Sequence, residues 1–162
     1  MTELGWHIIQ NGNKMSYRKD FTIREGQTVR IFKEPVPCKR GFHACKDPFE
    51  CSWYIVVELN SYLCRVEVGG IIREQDTKFC GQTRKVWWMR HYLSLIREFC
   101  ASDPNELYSS SGRVYHCTKS RPKTVREFNK WLWEVKRLPV TRPQYKIWLK
   151  EQKNARIKSS RV

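Results

Sequence analysis

The side chains best suited to chemistry are concentrated in residues 41–54, whose sequence is GFHACKDPFECSWY. With Cys38 just before it, this segment supplies His43, Cys45 and Cys51, which could form a Cys-x4-His-x-Cys-x5-Cys zinc set. Zinc takes four thiolate or imidazole ligands in a tetrahedron, but the close Cys-x2-Cys pairs typical of a zinc knuckle are absent from the sequence. We therefore expect these cysteines to be small buried hydrophobic residues, and we expect no zinc.

The same segment resembles the second motif of ADP-ribosyltransferases of the poly(ADP-ribose) polymerase kind. In that motif a Gly-Ile-Tyr-Phe strand enters a short helix that bears Ser-x-x-Tyr. Gly41-Phe42-His43 takes the place of Gly-Ile-Tyr, Tyr54 falls at the distance of the stacking tyrosine, and Cys51 stands where the family has serine. Residues 63–70, LCRVEVGG, look like the family's next strand. The resemblance implies an ADP-ribosyltransferase-like fold with NAD as cofactor.

A second resemblance is closer still. Small uncharacterised domains, often phage-encoded, carry a Gly-Phe-His-x-Cys-x-x-Pro signature, and it is matched here by residues 41–48. These domains also have an apolar-Val-Glu-Val-x-Gly strand soon afterwards. The resemblance covers residues 15–80 and implies a phage-type protein that acts in the cytoplasm of a host cell.

The resemblance to ADP-ribosyltransferases implies roles for four residues. Gly41 would hold the carboxamide of NAD through its backbone, Tyr54 would stack on the nicotinamide, and His43 would line the pocket. Arg18 could hold a phosphate or ribose of NAD, because the guanidinium fork binds phosphate in a bidentate manner.

A catalytic carboxylate is the missing part of this set. Cleavage of the glycosidic bond of NAD passes through an oxocarbenium-like state, which a nearby carboxylate favours. No motif selects that carboxylate, and the candidates are Glu67, Glu74 and Glu106, with Glu127 and Glu134 also open.

Positive charge is concentrated in the second half of the chain. Residues 1–80 hold 12 Lys and Arg against 10 Asp and Glu, whereas residues 81–162 hold 19 against 6. This balance predicts a polyanionic partner, either DNA or RNA or a host protein–nucleic acid complex. Trp133 lies off its helix's apolar stripe and is expected to be exposed, where it could stack on unpaired bases. The residues expected to bind nucleic acid are Lys123, Arg126, Lys130, Trp133, Arg137, Arg142, Lys146 and Lys150.

Hydrophobic periodicity predicts the elements that must position these residues. The expected strands cover 28–32 and 62–68, and a helical turn is expected at 49–54. The resemblance implies a further strand over the short apolar run 41–45. The expected helices cover 84–100, 122–137 and a segment that begins near 141. In the helix over 122–137 the buried stripe should run from Val125 to Val135, and the basic tail after Lys150 should fray.

These elements predict an α+β fold in two parts. Residues 1–80 form a small, twisted, mainly antiparallel sheet, and residues 81–162 form a basic helical region that packs on it and docks the partner. No apolar run is long enough to span a membrane, so no membrane partner is expected. The cysteine number is odd and no secretory signal is visible, so reduced thiols and a cytoplasmic location are expected.

Two functions fit this sequence. The first is a phage-type effector that transfers ADP-ribose from NAD to a nucleic acid or to a host protein bound to nucleic acid. The second is a non-catalytic protein that binds a nucleic acid or its complex and thereby inhibits a host defence system, in the manner of an anti-CRISPR protein.

Overall fold

The computed structural model describes the backbone of residues 1–10, 14–15, 18–54, 57–102, 106–108, 114–117 and 121–159, and the side chains of 1–10, 22–52, 57–100 and 125–159. The described strands are β1 (Thr2–Ile9), β2 (Lys14–Met15), β3 (Arg18–Thr22), β4 (Thr28–Arg30), β5 (Phe42–Cys45), β6 (Tyr62–Gln75), β7 (Lys78–His91), β8 (Glu106–Tyr108) and β9 (Val114–Cys117). The described helices are α1 (Cys51–Tyr54), α2 (Tyr92–Ser102), α3 (Arg121–Glu134) and α4 (Arg142–Ser159).

Five of the strands form one antiparallel sheet in the order β4-β7-β5-β1-β6. Strands β6 and β7 also pair with each other, from Gln75 opposite Lys78 to Tyr62 opposite His91. Since β5 pairs with β1 and β7, and β6 pairs with the same two strands, the pairings form a closed circuit of four strands. The predicted α+β class and the antiparallel pairing are confirmed.

The helix predicted over residues 84–100 is wrong over its first half. Residues up to His91 belong to β7, and α2 begins only at Tyr92. The cause is a bulge, because Arg65 lies opposite Trp88 while Val66 lies opposite Val86, which leaves Trp87 as an extra residue in β7. A bulge interrupts the alternation that identifies a strand, and the resulting apolar run fits a helical face equally well.

The chain divides into two compact units, Met1–Arg121 and Pro122–Val162. The boundary predicted between residues 80 and 81 falls within β7, where that strand pairs with both β5 and β6. In the second unit the two predicted helices are present as α3 and α4. The tail predicted to fray after Lys150 is helical as far as Ser159.

The core of the first unit combines residues from most strands of the sheet. Cys64, Val66 and Val68 of β6 pack with Val86 of β7, and Trp6 meets Trp88 edge to face at a centroid distance of 5.8 Å. The remaining buried members of this core are Ile9, Ile23, Ala44 and Phe79. Such aromatic and β-branched side chains favour the pleated surface of a sheet.

In the second unit the apolar stripe of α3 is shorter than predicted. Phe128, Trp131 and Leu132 are buried, whereas Val135 is 63% exposed. Val135 lies just after Glu134, where α3 ends, although its N–H still donates to the carbonyl oxygen of Trp131 at 2.9 Å. In the described parts of the chain, no helix is long and apolar enough to cross a bilayer.

Candidate functional site

Residues 41–54 form a strand, a turn and a short helix. Gly41 precedes β5 with a φ of 123°, which L residues rarely adopt. A Cβ at this position would lie 3.0 Å from the Cβ of Pro35 and 3.2 Å from the carbonyl oxygen of Gly81. After β5, Asp47 Oδ1 accepts a hydrogen bond from the N–H of Phe49 at 2.7 Å, and this contact starts the turn into α1. The strand and the helical turn lie where the sequence predicts them.

His43 is a neutral, half-buried side chain on β5. Its Nε2 accepts a hydrogen bond from the backbone N–H of Cys38 at 3.0 Å, which requires this nitrogen to be unprotonated. Burial lowers the pKa of His43, the positive charges of Lys78 and Arg84 lower it further, and a hydrogen bond with the Gly41 backbone partly opposes them.

His7 of β1 belongs to the same group of residues. Burial holds the pKa of its imidazole well below the ordinary value, and the charges of Arg84 and His43 add to that effect. A hydrogen bond with the backbone of His43 acts in the opposite direction. His7 and His43 therefore lie close together, and each is electrostatically coupled to Arg84.

Arg84 of β7 completes what we call the arginine–histidine cluster, His7, His43 and Arg84. Arg84 is only 2% exposed, and its guanidinium carbon lies 5.1 Å from the ring centroid of Phe42. Burial lowers the pKa of Arg84 to about 10, and Cys64 opposes the shift. Within the described residues, neither Nε nor Nη2 of Arg84 has a hydrogen-bond partner.

The sequence gives no signal for Arg84 or His7. Arg84 falls at the start of the wrongly predicted helix, where a basic residue is expected to face solvent. His7 lies in β1, for which no strand is predicted. Only the pairing of distant strands brings both side chains beside the predicted site residues of β5.

The other predicted NAD-binding residues are placed by their backbone alone. Arg18 begins β3, which pairs with β2 in a separate two-stranded sheet. Tyr54 ends α1. The side chains of both lie outside the described set, so their convergence with Gly41 stays a prediction.

The candidate carboxylates have partners of their own. Glu67 accepts hydrogen bonds from Thr2 Oγ1 at 2.8 Å and from Trp87 Nε1 at 3.3 Å. Glu74 forms an ion pair with Lys46, the two charged atoms being 2.9 Å apart. Glu106 lies in β8, with its side chain outside the described set. The two candidates with described side chains, Glu67 and Glu74, are thus already bound by donors of this chain.

The possible zinc ligands do not converge. Cys38 is exposed and its thiol donates to Gln75 Oε1 at 3.5 Å, whereas Cys45 and Cys51 are buried and hydrogen-bonded to each other. Burial raises the pKa of the Cys51 thiol, and the hydrogen bond from Cys51 lowers the pKa of Cys45. Across the residues whose placement is described, no group of three or more metal-ligating side chains is found.

The predicted nucleic-acid-binding residues lie in the second unit. Arg137 pairs with Glu151 at 3.2 Å, and its guanidinium carbon lies 4.9 Å from the ring centroid of Trp133. Trp133 is half-buried, not exposed as predicted. The side chain of Lys123 lies outside the described set. The exposed members are Arg126, Lys130, Arg137, Arg142, Lys146 and Lys150.

Comparison with known proteins identifies a family for the first unit. Residues 8–98 match the model of a domain of unknown function, DUF7666. Neither the curated proteins nor the solved structures gave a match. The matched range runs from β1 into α2 and includes both the 41–54 segment and Arg84. Because this range is more than half of the 162 residues, the chain belongs to the DUF7666 family.

Proposed function

We propose that the protein is a phage-type effector that binds NAD beside β5 and transfers ADP-ribose to a nucleic acid or to a host protein bound to nucleic acid. The observation that carries this proposal is the guanidinium of Arg84, whose Nε and Nη2 have no hydrogen-bond partner among the described residues and which packs over Phe42 of the segment that resembles an ADP-ribosyltransferase motif. A buried cation with free donors suits a ligand that carries phosphates.

Each of the four predicted NAD-binding residues has a defined task in this proposal. The Gly41 backbone would hold the carboxamide, Tyr54 would stack on the nicotinamide, and Arg18 would hold a phosphate or ribose. His43 would line the pocket as a neutral ring, since Cys38 already occupies its Nε2. NAD, when bound, supplies the ADP-ribosyl group that is transferred.

Calorimetric titration of the full chain with NAD tests the binding step. Wild type should bind NAD, Tyr54→Ala should bind at least tenfold more weakly, and Tyr54→Phe, which keeps the ring, should bind like wild type. Phe32→Ala is the matched control, because Phe32 is an aromatic side chain that is 86% exposed in the β4–β5 connection. Failure of wild type to bind NAD would reject the proposal.

Release of nicotinamide from NAD tests the transfer step separately. We expect release by wild type and its loss in one of the three variants Glu67→Gln, Glu74→Gln and Glu106→Gln. Binding of NAD without release, in the presence of DNA or RNA as acceptor, would leave only the non-catalytic function.

A second function, docking on nucleic acid, is favoured by a stripe of basic residues on α4. Five exposed cations fall within an arc of about 120°, at about 100° per residue, and the stripe is about 21 Å long. Its members are Arg142, Lys146, Lys150, Lys153 and Arg156. Glu151, the acidic residue of α4, lies on the opposite side and pairs with Arg137. We propose that this stripe follows a phosphate backbone, which would serve an effector and a non-catalytic inhibitor equally.

Fluorescence anisotropy with labelled duplex DNA, single-stranded DNA and RNA tests the stripe. Lys146→Gln/Lys150→Gln should weaken binding and reduce the slope of log K against log salt by about 2 for duplex DNA, because each lost phosphate contact removes about 0.9. Lys33→Gln/Lys39→Gln removes two exposed lysines of the first unit and is the matched control. Equal salt slopes for the two double variants would contradict the proposal.

A further inference from the structure

The starting observation is a buried cation that the described part of the protein leaves without a counter-ion. Nearly all of Arg84 is removed from solvent, yet two of its guanidinium nitrogens, Nε and Nη2, have no hydrogen-bond partner among the described residues. Burial of a charged group is costly unless the charge is paired and hydrogen-bonded. Arg84 therefore needs something that the described chain does not provide.

The two free nitrogens define one edge of the guanidinium. The Nε–H bond and the outer N–H bond of Nη2 point in the same direction and form the fork that accepts two oxygens of one planar carboxylate or of one phosphoryl group. The centroid of the Phe42 ring lies 5.1 Å from the guanidinium carbon, and the ring packs against one face of the guanidinium. The free edge thus holds the two parallel donors that a bidentate oxyanion requires.

The surroundings of Arg84 favour an anion. The described groups that interact electrostatically with the arginine–histidine cluster are Lys78 and the thiol of Cys64, together with the members themselves. No carboxylate is among them. Strand pairing explains why no carboxylate of the described residues is near. Arg84 lies opposite Val68 of β6 and Val29 of β4, so its neighbour in each paired strand is apolar.

We propose that Arg84 is an oxyanion-binding residue, whose Nε and Nη2 donate to two oxygens of a phosphoryl or carboxylate group on a small ligand. The proposal deepens the function proposed above, because the phosphates of NAD belong to this class. It does not require NAD, and any ligand with such a group would satisfy the fork.

Titration with inorganic phosphate, pyrophosphate and acetate tests this site on the full chain. At constant ionic strength set with chloride, at least one of the three should bind to wild type and raise its melting temperature. Binding of phosphate or pyrophosphate would indicate a phosphoryl ligand, whereas binding of acetate would indicate a carboxylate ligand. Arg84→Lys keeps the charge but loses the planar fork, and its affinity should fall at least tenfold.

Two further variants separate binding from folding. Arg24→Gln removes an exposed arginine of the first unit, and its oxyanion affinity should equal that of wild type. Arg84→Gln removes the unpaired charge, so without oxyanion this variant should unfold at the same urea concentration as wild type or a higher one. Marked destabilisation of Arg84→Gln would show that Arg84 is structural and would overturn the proposal, as would a wild type that binds none of the three anions.

The titrations with NAD and with oxyanions can fail separately. Phosphate binding that Arg84→Lys weakens, without NAD binding, would support the oxyanion site and reject the NAD function. NAD and phosphate binding unchanged in Arg84→Lys would overturn the oxyanion site and remove Arg84 from the argument for NAD, although NAD binding itself would then have been measured.

Discussion

Three basic side chains, His7, His43 and Arg84, meet near the middle of one sheet, the two imidazoles half-buried and Arg84 almost fully buried. The two imidazoles respond to this environment by staying neutral, since burial and the neighbouring guanidinium both lower their pKa values. Arginine has no such route, because it keeps its proton at any physiological pH. The positive charge of the cluster is therefore held by Arg84 alone near pH 7.

This arrangement predicts an acid-sensitive fold. Below pH 6.5 the unfolded chain protonates His7 while the folded chain does not, so the free energy of unfolding should decrease as pH falls from 7 towards 5. One such proton contributes a slope of about 1.4 kcal/mol per pH unit. His7→Gln should remove about that much of the slope, measured by urea unfolding at pH 7, 6 and 5.

His91→Gln is the matched control for this measurement. His91 lies at the end of β7, where its Nδ1 forms a hydrogen bond with Ser94 Oγ at 3.0 Å and its ring packs on Tyr62. His91→Gln makes the same substitution outside the arginine–histidine cluster and shows what the replacement alone does to the slope. Equal slopes for wild type and His7→Gln would contradict burial of a neutral imidazole at position 7.

At the residue scale, local chemistry could be predicted and long-range placement could not. The strand at His43, the turn at Asp47 and the helix at Tyr54 each depend on neighbours within a few residues, and the structure has them where expected. Arg84 reaches Phe42 across 42 positions of sequence. A single basic residue in an apolar run carries no local sign that it will be buried.

Strand β7 is the element on which the fold depends most. Its partner on one edge is β6, and its partners on the other edge are β4 and β5. Gly81 lies opposite Phe42 of β5 and Ile72 of β6, where three backbones approach closely. A Cβ on Gly81 would lie 2.5 Å from Val68 Cγ1 and 2.8 Å from the carbonyl oxygen of Gly69.

Gly81→Ala should therefore destabilise the protein by about 1–3 kcal/mol, the usual cost of overpacking a well-filled core. Urea unfolding would measure it. Val68 supplies the atom nearest to the added Cβ, so Val68→Ala should relieve the overlap. The double variant Val68→Ala/Gly81→Ala should therefore lose less unfolding free energy than the two single variants lose in sum. Additive effects would show that the contact with Val68 does not set the cost.

Gly26→Ala is a suitable comparison because nothing lies within 4 Å of a Cβ at that position, and only its φ of 75° opposes the substitution. The added methyl group then meets a conformational penalty without a steric one. If Gly81→Ala cost no more than the conformational penalty at Gly26, the close approach of the three strands would be in doubt.

Strands in which apolar and polar residues alternate regularly could be predicted, and strands without that alternation could not. The alternation from Tyr62 to Val68 identified β6, whose pairing continues to Gln75. The bulge at Trp87 removed the same signal from β7. For β1 the difficulty is different, since Trp6 and its neighbours become a strand through pairing with β6, about 60 residues away.

At the scale of the whole molecule, the structural boundary leaves most of the net charge in the smaller unit. Residues 122–162 hold 12 Lys and Arg against 3 Asp and Glu, whereas residues 1–121 hold 19 against 13. The smaller unit thus holds most of the net charge of +15. Long-range attraction of a polyanion, and the salt dependence predicted for α4, belong to this unit.

The closed circuit of strands also has a consequence for synthesis. Translation produces β1 first, but the strand that pairs along its full length, β6, begins only at residue 62, and β7 ends at residue 91. At about 5–20 residues per second, the first strand waits about 3–12 s for that partner. The β6–β7 hairpin is local and can form as soon as it is made. Until β6 has been made, β1 therefore lacks the one strand that pairs along its full length.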